Sequence, residues 1–163
     1  MNIKIKKDGY LIFKKIKVNC VFGKNGLKIN KKEGDKATPK GKFTLGKLYY
    51  RADRIKKLKT SLIKKKIKKN MGWCHNSNNS KYNKEIKHQN NKNSEKLYRK
   101  DQKYDLFLVI NYNINPVVKG KGSAIFLHIT KNNKPTNGCV ATQKENLIKL
   151  LKEIKPKTKI IIG

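Results

Sequence analysis

Two side chains in the last quarter of the chain can do chemistry together: the imidazole of His128 and the thiol of Cys139. A thiol attacks as its thiolate, and with a free pKa of about 8.5 it needs help near neutral pH. An imidazole held close takes the thiol proton as the new bond forms and later returns it to the departing group. Gly138, directly before Cys139, lets the backbone fold sharply, so that N–H groups can point at an oxyanion forming beside the sulfur. The pattern reads as cysteine-dependent acyl transfer, with Cys139 as nucleophile, His128 as general base and Gly138 in the oxyanion loop. Either side chain alone carries little weight, since a lone Cys before a helix is commonly a small buried hydrophobe and a lone strand His a packed one.

The elements that must position this pair are legible around it. A buried strand is expected over about 104–112, built on Leu106-Phe107-Leu108-Val109-Ile110, and a second over about 124–129 after a Gly-rich turn at Lys119–Ser123. On the second strand Ala124, Phe126 and His128 share one face, with Ile125, Leu127 and Ile129 on the other. A polar loop, Thr130–Asn137, leads to Gly138-Cys139-Val140-Ala141. Thr142-Gln143-Lys144-Glu145 reads as a capping box, and Leu147, Leu150, Leu151 and Ile154 then recur at helical spacing, predicting a helix over about 143–154. Pro156 ends it, and Lys159–Ile162 returns as a strand. Upstream, alternation suggests strands at about 2–6, 10–13 and 16–22, with Cys20 facing the core. A Gly- and Pro-bearing loop, Lys31–Lys42, feeds a strand at Phe43–Tyr50. Residues 54–103 are rich in Lys and Asn and read as a long exposed excursion with fragments of structure. Within it Met71-Gly72-Trp73-Cys74 is the one apolar knot expected to dock on the core. The expectation is a single domain over residues 1–163, mainly β with a C-terminal helix (α+β).

Composition bounds the rest. Of 163 residues, 36% are hydrophobic and 32% charged, so the core is small and its coat very polar. The net charge is +32, from 42 basic residues against 10 acidic ones, and only Arg51, Arg54 and Arg99 are arginine. Such a field attracts anionic polymers non-specifically. Base readers rely on the bidentate guanidinium, so its scarcity argues against specific nucleic-acid binding; abundant Lys, Asn and Ile fit compositional drift from an A/T-rich coding sequence. Three cysteines, Cys20, Cys74 and Cys139, cannot all pair and show no CxxC spacing, which suits a reducing compartment or a catalytic thiol better than a disulfide scaffold.

The motifs resemble a known family. Gly122-Ser123-Ala124-Ile125-Phe126-Leu127-His128 followed by Pro135-Thr136-Asn137-Gly138-Cys139-Val140-Ala141 looks like the catalytic segment of the L,D-transpeptidase (YkuD-type) domain, compact bacterial branch. Glu33-Gly34-Asp35, Thr38-Pro39-Lys40-Gly41-Lys42-Phe43, Gly72-Trp73-Cys74, Tyr82-Asn83, Tyr104-Asp105-Leu106 and Pro116-Val117-Val118 continue the similarity, which covers most of residues 20–150. It departs from the family at Asn137, where many members carry His or Arg, and at His75, where the branch often has an acid. The resemblance implies a β-sandwich-like catalytic fold and a substrate drawn from peptidoglycan stem peptides with a diamino acid at the third position. It also implies a Cys139 thioester, with the amides of Gly138 and Cys139 as oxyanion donors. Thr136, Asn137, Thr38, Pro39, Gly41, Phe43 and Trp73 would then meet substrate. Transfer to an amine gives a cross-link and transfer to water an L,D-carboxypeptidase; no cofactor and no metal is called for.

Two other readings stay open at this level. A basic nucleic-acid-binding protein accounts for the charge, although no recognition motif or basic–aromatic interleaving supports it. Cys74, His75 and His88 can be drawn as metal ligands, but adjacent Cys and His give poor tetrahedral geometry and no fourth ligand suggests itself. Residues 1–20 carry charges at every second or third position, leaving no apolar run long enough for a signal peptide or transmembrane segment. As written the chain is expected to be cytoplasmic; an upstream start adding a signal would place it in the periplasm or cell envelope.

Overall fold

A computed structural model describes residues 1–88 and 92–163; residues 89–91, inside the Lys/Asn-rich stretch, lie outside the described residues. The N-terminal alternation forms β1 (Asn2–Ile5), β2 (Tyr10–Phe13) and β3 (Ile16–Asn19), an antiparallel meander. Next, β4 (Leu27–Lys28) and β5 (Thr38–Pro39) pair in parallel, and β6 (Gly41–Tyr50) follows as the long spine. The Lys/Asn-rich stretch holds β7 (Lys64–Lys66), β8 (Met71–Cys74), β9 (Glu85–Lys87) and β10 (Ser94–Lys96). Then come β11 (Leu106–Ile110), β12 (Phe126–Ile129), β13 (Val140–Thr142), α1 (Lys144–Glu153) and β14 (Lys159–Ile162). The protein is mainly β with one C-terminal helix among the described residues, as the pattern predicts.

The large sheet runs β13-β12-β11-β6-β14-β1-β2-β3, with β7 added to β6. Its two ends meet: beyond β3, Val21 and Ala141 exchange backbone hydrogen bonds of 2.8 Å in each direction. The sheet therefore has a core on each side. From β11, Leu106, Leu108 and Ile110 enter one core together with Leu147, Leu150 and Leu151 of α1; Phe107 and Val109 enter the other. Burying each such side chain contributes about 1.5–3 kcal/mol, which is how a chain with few apolar residues still folds. The same alternation on β12 sends Ile125, Leu127 and Ile129 to the helix side and Ala124 and Phe126 to the other.

Two expectations are corrected. Thr142 does not cap the helix. Gln143 is the N-cap residue and makes no side-chain cap hydrogen bond, while Thr142 ends β13, paired with Ile129, and its hydroxyl donates to the Asn19 carbonyl at 2.7 Å. A parallel strand has claimed the residue that local sequence assigned to the helix.

The Lys/Asn-rich stretch is also far more ordered than its composition suggests. β10, β8 and β9 form a three-stranded sheet, and the Met71-Gly72-Trp73-Cys74 knot is its wholly buried central strand. Trp73 packs edge-on against Phe126 with ring centroids 5.1 Å apart, so this sheet covers the second core. The three arginines tie its ends down. Arg51 pairs with Asp53 through two bonds, donates to the Arg99 carbonyl and stacks on Tyr98, while Arg54 pairs with Asp105 and Arg99 with Asp101.

The decisive residue of the stretch is Asn83. Its buried amide oxygen accepts from Trp73 Nε1 (2.9 Å) and the Ala124 amide (3.0 Å), and its nitrogen donates to the carbonyls of Tyr112 (3.1 Å) and Asn113 (2.6 Å). One side chain thus joins the covering sheet to the segment that enters β12. Replacement leaves several buried groups unpaired at about 1–3 kcal/mol each. Asn83→Leu is expected to lower stability by roughly 3 kcal/mol, a fall in Tm of about 6–12 °C for a chain of this size. Thermal unfolding followed by circular dichroism checks this; a shift under 2 °C would show that the amide is not a structural hub.

Candidate active site

His128 and Cys139 come together because β12 and β13 run in parallel. Leu127 pairs with Val140 and His128 with Ala141. One step back along that register sets Cys139 beside Phe126, whose N–H lies 3.4 Å from Sγ. Cys139 therefore faces the second core with Phe126, and His128 lies on the same face two residues further along β12.

The loop carrying Cys139 is pinned from below. Thr136 Oγ1 donates to the Cys139 carbonyl at 2.5 Å and accepts from the Gly138 amide at 3.1 Å. Thr38 Oγ1 accepts from the Gly23 amide at 2.8 Å and donates to the Gly138 carbonyl at 2.7 Å, across 100 residues of sequence. Gly138 adopts φ +146°, and a Cβ there would lie 3.1 Å from the Ala37 carbonyl oxygen. Only glycine fits the close passage between these two loops. The Gly138 amide is spent on Thr136, which corrects the expectation that it serves as an oxyanion donor.

The thiol itself donates to the Ala124 carbonyl at 3.1 Å, and Ala124 is held at φ +53°. That conformation costs an alanine about 1–2 kcal/mol, and the bond from the Ala124 amide to Asn83 helps hold it.

No hydrogen bond joins the two candidate catalytic groups among the described residues. His128 Nδ1 lies 2.9 Å from the Ile129 carbonyl, which can only accept, so Nδ1 carries the proton and Nε2 the lone pair. That Nε2 is buried and has no hydrogen-bond partner among the described residues. Burial, reinforced by Lys103, pushes the His128 pKa down to about 3. Burial, with Glu95 adding to it, pushes the Cys139 thiol up to about 12. This corrects a second expectation: the imidazole does not lower the thiol into the working range. The resting pair is a neutral thiol and a neutral imidazole, the two forms between which a proton can pass as a bond to sulfur develops.

Two cavities flank the pair. One of about 420 Å³ reaches His128 past Asp101, Lys131 and Lys134; the other, about 350 Å³, reaches Cys139 past Lys31, Glu33 and Tyr104. Lys103, Thr136 and Asn137 line both, so they form the wall between them. Tyr104 ties the two sides together: its ring meets His128 edge-on at 5.5 Å and its hydroxyl donates to Glu95 at 2.5 Å.

Of the residues expected to meet substrate, Thr136 and Asn137 stand at the cavities. Thr38 is fully buried beneath the loop and Pro39 is buried in β5. Gly41 pairs with Ile162 and Phe43 with Ile160 in β6, where Phe43 packs on Tyr112; neither lines either cavity. Trp73 is a core residue. The Glu33–Thr38 part of the loop does reach the catalytic segment. Glu33 Oε2 accepts from Ser123 Oγ at 2.8 Å and from the Tyr82 hydroxyl at 2.5 Å. Sequence reasoning missed Lys31, Glu95 and Lys103, which give no local signal in a stretch full of charge, and it quoted Tyr104 only within a motif, with no place at the site.

A family model described as the L,D-transpeptidase catalytic domain, YkuD, matches residues 3–162. No curated protein matches the chain. Among solved structures, Bd1075 of Bdellovibrio bacteriovorus is similar, with 16% sequence identity and a TM-score of 0.46 over 99% of this chain and 46% of that one. The chain thus spans less than half the length of that protein.

The site's electrostatics set the pH dependence of its thiol. With the folded pKa near 12, the thiolate fraction at Cys139 rises about tenfold per pH unit from 7 to 10. Alkylation of Cys139 by iodoacetamide, mapped by peptide mass, is expected to climb through that range without levelling. A plateau reached below pH 8 would show a thiolate–imidazolium pair instead.

Proposed function

Because the chain belongs to the YkuD L,D-transpeptidase catalytic domain family, we propose that it transfers an acyl group of a peptidoglycan stem peptide through a thioester on Cys139, residues 1–163 acting as one catalytic unit. The observation that carries the reading is the proton-free Nε2 of buried His128, without a partner among the described residues and on the same face as Cys139, two residues along the register. A buried nitrogen without a partner is costly to keep, and a transient proton gives it a use.

In this reading the donor carbonyl, at the L-centre of the third residue, enters the Cys139 cavity. Sγ bonds to the carbonyl carbon while its proton passes to His128 Nε2, and the Cys139 N–H, closest to the forming oxyanion, steadies it. The carbon–nitrogen bond to the terminal D-residue breaks, its nitrogen taking the proton from His128. An amine of a second stem then attacks the thioester, gives a proton to His128 and leaves a cross-linked product, and the proton returns to sulfur. The low pKa of His128 keeps it unprotonated before each step, and the buried thiol stays neutral until a carbonyl arrives.

Water can take the second amine's place, and the product is then a shortened stem, the L,D-carboxypeptidase outcome. Which occurs depends on what reaches the thioester first. Transfer to an amine is the first choice, since the cavity on the His128 side offers room for a second chain. Among the described residues no helix is long and apolar enough to cross a membrane. Against the anionic cell envelope the positive charge of the chain holds it near acceptors; in the cytoplasm, among dilute soluble stems, hydrolysis dominates.

Incubation with a disaccharide-tetrapeptide and mass spectrometry of the products is expected to show loss of the terminal D-residue, with cross-linked dimer. Cys139→Ser should abolish both, and His128→Ala should lower kcat by about 10²–10⁴. Turnover by His128→Ala within threefold of the parent would remove His128 from the mechanism.

A further inference from the structure

Lys31 is the one lysine of the cavity wall that the fold has buried at the nucleophile. Its side chain is 3% exposed, yet it lines the Cys139 cavity. Its Nζ lies 2.7 Å from Asp35 Oδ1 and 3.2 Å from the Lys32 carbonyl, so two of its three N–H bonds are placed. Asp35 is fully committed to this arrangement, Oδ1 also accepting from the Ala37 amide at 3.0 Å and Oδ2 from the Lys32 amide at 2.9 Å. Burial would raise the Asp35 carboxyl, but those bonds outweigh it and hold it below its ordinary value, so it stays an anion that fixes the ammonium in place.

The neighbours leave room for this cation and little else. A Cβ on Gly122 would come within 2.9 Å of Lys31 Cε, and one on Gly138 within 3.6 Å of Nζ. Nζ therefore sits against the residue immediately before the nucleophile.

The other charged groups of the cavity wall have partners of their own: Glu33 Oε2 accepts from Tyr82 and Ser123, and Glu95 Oε1 accepts from Tyr104 and lies 3.8 Å from Lys103 Nζ. Among the described residues, Lys31 keeps one N–H over. A buried ammonium with a spare donor, beside a thiol that attacks carbonyls, suits an anion three bonds from the reacting carbon, the place of a carboxylate on the leaving residue.

Resting on the stem-peptide reading above, we propose that Lys31 binds the terminal carboxylate of the donor's D-residue, one amide bond beyond the carbonyl that Cys139 attacks. Through that contact the site would favour a free terminal carboxylate over its neutral amide.

The test separates this from the reading it rests on by using a probe that is no peptide. Iodoacetate and iodoacetamide deliver the same reactive carbon to Cys139, but only iodoacetate carries a carboxylate. At one pH, the iodoacetate-to-iodoacetamide rate ratio at Cys139 is expected to be at least fivefold higher in the folded enzyme than in the urea-unfolded chain. It should fall about fivefold in Lys31→Met and Lys31→Gln, and stay within twofold of the parent in the exposed control Lys59→Met. Tetrapeptide with a free terminus should be processed at least tenfold better than its C-terminal amide by the parent, and with no preference by Lys31→Met. Equal ratios in the folded and unfolded protein, or a ratio unchanged in Lys31→Met, would overturn the role of Lys31. Failure of the parent to process either peptide would overturn the stem-peptide reading, whatever the alkylation ratios.

Discussion

Everything at the site depends on the sharp passage of backbone through Gly138, clamped between two threonine hydroxyls. Thr38 reaches across 100 residues to hold the Gly138 carbonyl, and Thr136 holds the Cys139 carbonyl from within the same loop. Each is a single hydrogen bond of modest net worth, but both are buried or nearly so and each has a backbone amide to accept as well. Losing one hydroxyl would leave backbone groups unpaired on both sides of the loop. The thiol points where it does because this clamp, and the Ala124 carbonyl opposite, leave it no other course.

The second feature that organises the molecule is the use of scarce residue types. Nearly all positive charge is lysine, spread over the surface, while all three arginines make bidentate or carbonyl-bound contacts within the chain. A planar guanidinium holds a fixed geometry that an ammonium does not, so it appears where the covering sheet must be tied to β6 and β11. With these guanidiniums engaged internally, the charge that remains serves general attraction to anions and lacks the forks that read bases.

How much of this was legible in the sequence follows from the range of the interactions. The buried run of β11, the alternation on β12 and the helix face of Leu147, Leu150 and Leu151 are local patterns, and they emerged as read; the strand Val140–Thr142 after Cys139 was not read, because its pairing with β12 is not local. Thr38 was legible as part of a motif, though as a residue near substrate and not as a buried clamp. Asn83 was visible only in a Tyr-Asn pair amid a run of asparagines, because its four hydrogen bonds go to residues 10 to 41 positions away that composition cannot connect. Lys31 was hidden as one lysine among many, since its hydrogen bonds are local and only its approach to Gly122 and Gly138, which no pattern shows, brings it to the nucleophile. The raised thiol and the lowered imidazole were out of reach altogether, since both come from burial, which exists only once the second core has closed.

The account stands on covalent catalysis by Cys139 with His128 as its proton carrier. Intact-protein mass spectrometry during turnover of a disaccharide-tetrapeptide tests that most directly. The account predicts an adduct equal in mass to the stem without its terminal D-residue, located on Cys139, released by hydroxylamine and formed far more slowly in His128→Ala. Steady product formation with no adduct on Cys139, or an adduct of unchanged rate in His128→Ala, would contradict it.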